Sequence, residues 1–146
     1  MTTILTKEKI KLNAKVKDKY EAIRLVGQLL VDGGHVPSEY IDYMIQREND
    51  LSTYMGAGLA IPHGTNDGKK LIQSTGLAVA VVPEGVDFGN GQTARLIVGI
   101  AAAGSEHLEL LTNIAMLVSD DEVMDRILNT SSEDEIVEIF LKGVEE

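Results

Sequence analysis

No cysteine occurs among the 146 residues, which removes disulfides, thiolate metal sites and a cysteine nucleophile from this chain's own chemistry. No apolar run reaches the ~20 residues needed to span a bilayer. Lys7, Lys9 and Lys11 interrupt the N-terminal segment where the apolar core of a signal peptide would lie. A soluble, cytoplasmic protein without direct membrane insertion is the expectation. Positive charge is also scarce, with 13 Lys and Arg against 23 Asp and Glu and a formal net charge of −10. Lys7, Lys9, Lys11, Lys15, Lys17 and Lys19 all precede Tyr20, so the rest of the chain carries 7 basic and 21 acidic groups, a formal −14. Such a body repels phosphate backbones, which argues against a nucleic-acid partner, and it steers a basic protein toward itself. Also missing are a Gly-x-Ser-x-Gly elbow, a Walker phosphate loop, a His-Glu-x-x-His pair, internal repeats and low-complexity segments.

What is present fits one globular domain over residues 1–146. Hydrophobic residues make up 44% of the chain, and a domain of this size buries roughly 70% of its unfolded surface. Lys9-Ile10-Lys11-Leu12 alternates with period two, as a half-exposed strand does. Asp18 then precedes a helical pattern over residues 20–30 that Gly33 and Gly34 stop, and Pro37 and Ser38 open a second helix that ends near Arg47, Glu48 and Asn49. Two consecutive apolar stretches, residues 75–82 and 94–103, read as strands covered on both faces. A hairpin-like connection over residues 83–91 joins them. The last 40 residues read as three helices, with Ser105, Ser119 or Asp120, and Ser131 or Ser132 as candidate N-caps and no room for a linker. The expected architecture is α/β: a single layered domain with a mixed parallel and antiparallel central sheet and helices on both faces.

Two segments carry chemistry. In Gly58-Leu59-Ala60-Ile61-Pro62-His63-Gly64-Thr65, Pro62 biases Ile61 toward extended geometry and Gly64 lets the backbone turn away without crowding the imidazole. This predicts a ring at a strand end, where a histidine serves as base, metal ligand or covalent nucleophile, or is a buried structural residue. In Gly104-Ser105-Glu106-His107 a strand passes into a helix N-terminus, a usual place for an anion because free N–H groups and the helix dipole converge there. The dipole works against protonation of His107, which suits a neutral donor to a phosphoryl oxygen. A surface histidine at a helix start is the plain alternative.

These motifs, with Pro83-Glu84-Gly85-Val86-x-Phe88-Gly89 and the strand Leu96-Ile97-Val98-Gly99-Ile100-Ala101-Ala102 leading to Glu106-His107, span nearly the whole chain. Together they resemble the enzyme IIA domain of the mannitol branch of the bacterial phosphoenolpyruvate:sugar phosphotransferase system. The resemblance implies a phosphocarrier that takes a phosphoryl group from the carrier HPr on His63, at Nε2, and passes it to a cysteine of the mannitol-specific IIB domain. The link to the membrane-embedded IIC is indirect. No metal and no organic cofactor is implied. His107 matches a second active-site histidine that hydrogen-bonds the phosphoryl group, and Arg47 matches an arginine near the active site. The plain alternative for Arg47 is a cation at a helix C-terminus. Thr65 is a possible hydroxyl donor, or else satisfies local backbone. His35 matches nothing in the motif and is taken as a loop residue. Gly56, Ala57, Gly58, Ala102 and Ala103 are expected to keep the approach to His63 open. The alternative within the wider group is a nitrogen-regulatory or fructose-type IIA, in which the same phosphohistidine acts mainly in a regulatory binding module.

Overall fold

The computed structural model describes residues 4–102 and 106–145. Five strands form one mixed sheet: β1 (Ile10–Lys11), β2 (Tyr54–Gly56), β3 (Leu59–Ala60), β4 (Gly76–Asp87) and β5 (Thr93–Ala101), in the spatial order β1-β4-β5-β3-β2. Strands β1 and β4 are parallel, as are β3 and β5. The β4–β5 and β2–β3 pairs are antiparallel. Five helices follow from the expected patterns: α1 (Lys19–Asp32), α2 (Tyr40–Asp50), α3 (Glu106–Val118), α4 (Asp121–Asn129) and α5 (Glu133–Glu145).

Because side chains alternate across a strand, the two faces of β4 and β5 carry different residues. One face presents Leu77, Val79, Val81, Leu96, Val98 and Ile100, and packs with Leu110, Ile114, Ile127, Ile136 and Phe140 of α3, α4 and α5. The other presents Ala78, Ala80, Ile97 and Ala101, against Ile23, Val26 and Leu30 of α1 and Met44 of α2. Small side chains on this second face bring α1 close to the sheet. A Cβ on Gly99 would sit 2.9 Å from Val26.

Helix ends obey local chemistry. The Asp18 carboxylate accepts from Glu21 N at 2.9 Å and starts α1, while Gly33 and Gly34, the latter at φ +81, end it. Asp120 caps α4 by accepting from Glu122 N and Val123 N, and Ser132 Oγ accepts from Glu135 N at the start of α5. Of the paired cap candidates, Asp120 and Ser132 therefore hold the side-chain bonds. Ser105 lies outside the described residues.

Three expectations change. The connection read over residues 83–91 is mostly strand: β4 continues to Asp87, and the turn is tighter, with Gln92 N donating to Gly89 O and Phe88 N to Gln92 O. The ladder breaks register between Val81 and Val86, which is where Pro83, lacking an N–H, is tolerated. Lys9 is not on the exposed side of a strand. It closes a short 3₁₀ turn, Lys7–Lys9, and is buried, its Nζ donating to Ile4 O at 2.7 Å and to His35 Nε2. His35 does lie in the α1–α2 connection, but it is buried there, held on its other side by Ser74 Oγ at 2.8 Å from Nδ1. Two flanking partners leave the imidazole no route of escape.

A Cβ on Gly76 would overlap that pinned ring. Gly76→Ala is accordingly expected to destabilise the fold by about 1–3 kcal/mol, as overpacking does. Denaturant unfolding should report a lower midpoint with an unchanged slope; an unaltered midpoint would mean that the His35 cluster yields freely.

Candidate functional site

His63 owes its position to the central strand. Leu59 and Ala60 pair with Leu96 and Ile97, and the chain runs on extended so that Ile100 N donates to Pro62 O at 2.9 Å and His63 forms an isolated parallel bridge with Ile100. Tyr40, buried in the first turn of α2, locks this segment. Its Oη donates to Ile100 O at 3.2 Å and accepts from Gly64 N at 2.9 Å. Gly64 is required here, since a Cβ would lie 2.7 Å from the Tyr40 ring.

His63 is 8% exposed, with Nδ1 2.8 Å from Ile61 O. A carbonyl oxygen only accepts, so Nδ1 carries the proton and Nε2 keeps its lone pair. Burial lowers the pKa from 6.5 to about 4, against the Ile61 carbonyl and the more distant Glu48, which raise it; His107 and Arg47 add to the lowering. The ring is therefore neutral at ordinary pH.

His107, in the first turn of α3, meets His63 edge to face, with ring centroids 4.7 Å apart and planes at 64°. Its pKa is also below the ordinary value, by burial first and then by the positive charges of Lys69 and Arg47. Arg47 occupies the last turn of α2, where its guanidinium donates to Leu51 O. The arginine thus both caps the helix end and faces the site. His63, His107, Arg47, Thr65 and Lys69 line one open cleft of about 750 Å³, together with Asp50, Asp67 and the side chains of Leu51, Met55 and Leu108. Thr65 Oγ1 accepts from Gly68 N at 3.3 Å and caps the 3₁₀ turn Asn66–Leu71; its hydroxyl hydrogen is not used in that bond. Among the described residues, no group of three or more His, Asp or Glu is arranged to hold a metal ion.

Of the small residues expected around His63, those before Leu59 lie elsewhere. Gly56, Ala57 and Gly58, all at positive φ, make the β2–β3 turn at the far end of β3, and Ala57 and Gly58 line a separate pocket with Thr93, Arg95, Met124 and Leu128. Gly58 O bonds to Arg95 N and Leu96 N, whereas His63 pairs four residues along at Ile100, about 13 Å away at strand rise. Ala102 is buried, and Ala103 lies outside the described residues. The apolar rim is instead Leu51, Met55 and Leu108, at 69%, 51% and 70% exposure.

Sequence reasoning passed over Tyr40, Glu48 and Lys69. Tyr40 sits at an ordinary core position of an amphipathic helix, and Lys69 in a polar loop, so neither stands out. Glu48 did leave a signal: an acid in the last turn of a helix opposes the macrodipole and needs another reason to be there. It is 2% exposed, and its Oε1 accepts from Thr53 N at 2.8 Å and from Thr53 Oγ1 at 2.6 Å while Oε2 pairs with Lys19 Nζ at 3.3 Å. Burial pushes its pKa up, but the hydrogen bonds from Thr53, Ser52 and Lys19 outweigh this and hold it below the usual carboxylate value.

The family model of the phosphoenolpyruvate-dependent sugar phosphotransferase system, EIIA 2, matches residues 3–143. This chain belongs to that family. It is similar to the mannitol-specific phosphotransferase enzyme IIA component of Geobacillus stearothermophilus, at 47% identity over 94% of each chain. Among solved structures it is similar to the Escherichia coli complex of enzyme IIAMTL and phosphorylated enzyme IIBMTL, at 39% identity and TM-score 0.89 over 94% of this chain and 97% of that one. The nitrogen regulatory protein IIA-Ntr of Neisseria meningitidis shares the fold at TM-score 0.80, with 28% identity over 94% of this chain and 96% of that one. No helix of the described residues in this EIIA chain is long and apolar enough to cross a membrane.

The His63 environment predicts a measurable titration. With the folded pKa near 4 and the ordinary value 6.5, the unfolded chain binds this proton before the folded one. The contribution of His63 to stability is intact above pH 6.5 and is lost as pH falls toward 4. NMR of the ring is expected to give flat shifts from pH 8 to about 5.5 and a midpoint near 4; a midpoint near 6.5 would mean a solvated imidazole.

Proposed function

We propose that residues 1–146 form a mannitol-type IIA domain, a cytoplasmic phosphocarrier that accepts a phosphoryl group from phospho-HPr on His63 Nε2 and donates it to the IIB cysteine of a mannitol transporter. The observation that carries this reading is the buried His63 ring, neutral, with Nδ1 held on Ile61 O and Nε2 left for attack. The mannitol type is supported by 47% identity to a mannitol-specific enzyme IIA component, against 28% to the nitrogen-regulatory protein.

In the transfer, the lone pair on Nε2 forms the new N–P bond as the donor's N–P bond breaks. The donor imidazole keeps the proton on its other ring nitrogen and leaves neutral; His63 keeps its Nδ1 proton on the Ile61 carbonyl. No proton has to cross the cleft. Catalysis then consists of positioning and of stabilising charge on the phosphoryl oxygens. His107 donates a hydrogen bond, Arg47 and Lys69 supply positive potential, and Thr65 offers its hydroxyl. The apolar rim of Leu51, Met55 and Leu108 gives the partner a contact surface, and the acidic body draws a basic donor in by long-range attraction.

Incubation with phosphoenolpyruvate, enzyme I and HPr is expected to add one acid-labile phosphoryl group by intact mass, with none on His63→Ala. Uptake of the same phosphate by His63→Ala would overturn the assignment. His107→Ala is expected to remain phosphorylatable but slower. Losing one charge-assisted donor is worth ~1.5–3 kcal/mol, roughly one to two decades in rate, and stopped-flow rates equal to wild type in both directions would remove His107 from the mechanism.

A further inference from the structure

The Nδ1 proton of His63 is fixed by one carbonyl, and that carbonyl is itself held in place. Ile61 N donates to Thr53 O at 3.0 Å, so the two ends of the Ile61 residue carry the histidine on one side and Thr53 on the other. Thr53, 2% exposed, has both its N–H and its hydroxyl committed to the same oxygen of Glu48. Glu48 belongs to α2, a rigid element, and its second oxygen is tied to Lys19 at the start of α1. The path from Lys19 through Glu48, Thr53 and Ile61 to His63 Nδ1 therefore runs through hydrogen bonds of 3.3 Å or less.

Without Glu48, the Thr53 N–H and hydroxyl lose the acceptor they share, and the Thr53 carbonyl that receives Ile61 N–H is no longer fixed from α2. An imidazole with an unfixed acceptor reverts toward the free-histidine preference for a proton on Nε2, the atom that has to attack. We infer that Glu48 is a positioning residue for the transfer reaction, acting through Thr53 and the Ile61 peptide to hold His63 in the Nδ1–H tautomer. The role rests on the phosphocarrier reading above, but the geometry it describes exists before any phosphate arrives.

The test uses the full chain and reads the tautomer directly, by ¹⁵N NMR of the His63 ring without donor, alongside phosphoryl uptake from HPr. Wild type is expected to show one tautomer, protonated on Nδ1. Glu48→Ala is expected to show a mixture and to take up phosphate about tenfold to a hundredfold more slowly, the range that follows from small misplacement of a reacting group. Glu48→Gln keeps an oxygen toward Thr53 and is expected to restore the single tautomer. A folded Glu48→Ala protein that retains the wild-type tautomer overturns the inference, whatever its rate. Should Glu48→Ala fail to fold, Glu48→Asp decides: one methylene shorter, it withdraws the carboxylate from both Thr53 donors at once and is expected to admit the second tautomer, and a folded Glu48→Asp variant with the wild-type tautomer overturns the inference. A wild-type chain that takes up no phosphate sinks the phosphocarrier reading alone, since the tautomer measurement needs no donor.

Discussion

The end of β5 holds the molecule and its site together. Ile100 is buried on the face packed by α3, α4 and α5, while its backbone N–H binds Pro62 O and its carbonyl accepts from Tyr40. One residue thus spends its side chain on the core and both main-chain groups on the segment that carries His63. The strand beside it, β4, covers the opposite edge and leaves these groups to the segment after β3 and to α2. If the β5 register moved by one residue, every side chain on it would change face, and the histidine would lose its partner in the same step.

Electrostatics in the cleft combines two opposing needs. A nucleophilic imidazole must be neutral, and a phosphoryl group needs positive charge nearby. Burial answers the first need, since desolvation is the largest influence on the pKa of both histidines. Arg47 and Lys69 bring positive charge into the same cleft, and that charge also discourages protonation of His107. Two of the seven basic groups beyond residue 19 thus line this one cleft, in a body of formal charge −14. The positive potential is local, surrounded by acids that act over longer distance.

Much of this was legible beforehand, and for physical reasons. Periodicity and capping located α1, α2 and the three C-terminal helices because those signals are local: Asp18, Gly33 and Asp120 act on neighbours a few residues away. The strand end at His63 followed from Pro62 and Gly64. What stayed hidden depends on contacts between distant segments. The Ile61 carbonyl as proton acceptor, Tyr40 as a clamp on Gly64, and the burial of Lys9 against His35 have no periodic or compositional signature. Placing Gly56, Ala57 and Gly58 beside His63 failed for a related reason. Residues adjacent in sequence stand at opposite ends of an extended segment, and extension separates them by more than a side chain's reach.

The clamp between Tyr40 and Ile100 joins residues 60 positions apart, and β3 meets β5 through a parallel pairing that no short turn can supply. Contacts of this kind form only after a large loop-closure entropy has been met, so they belong to the later stages of folding. The local α1 helix can form early, but it brings none of the site with it. A chain still emerging from the ribosome, or one opened at the sheet, presents His63 as an ordinary solvated imidazole. The lowered basicity of this imidazole and its fixed Nδ1 proton are therefore properties of the completed fold, which no local segment carries by itself.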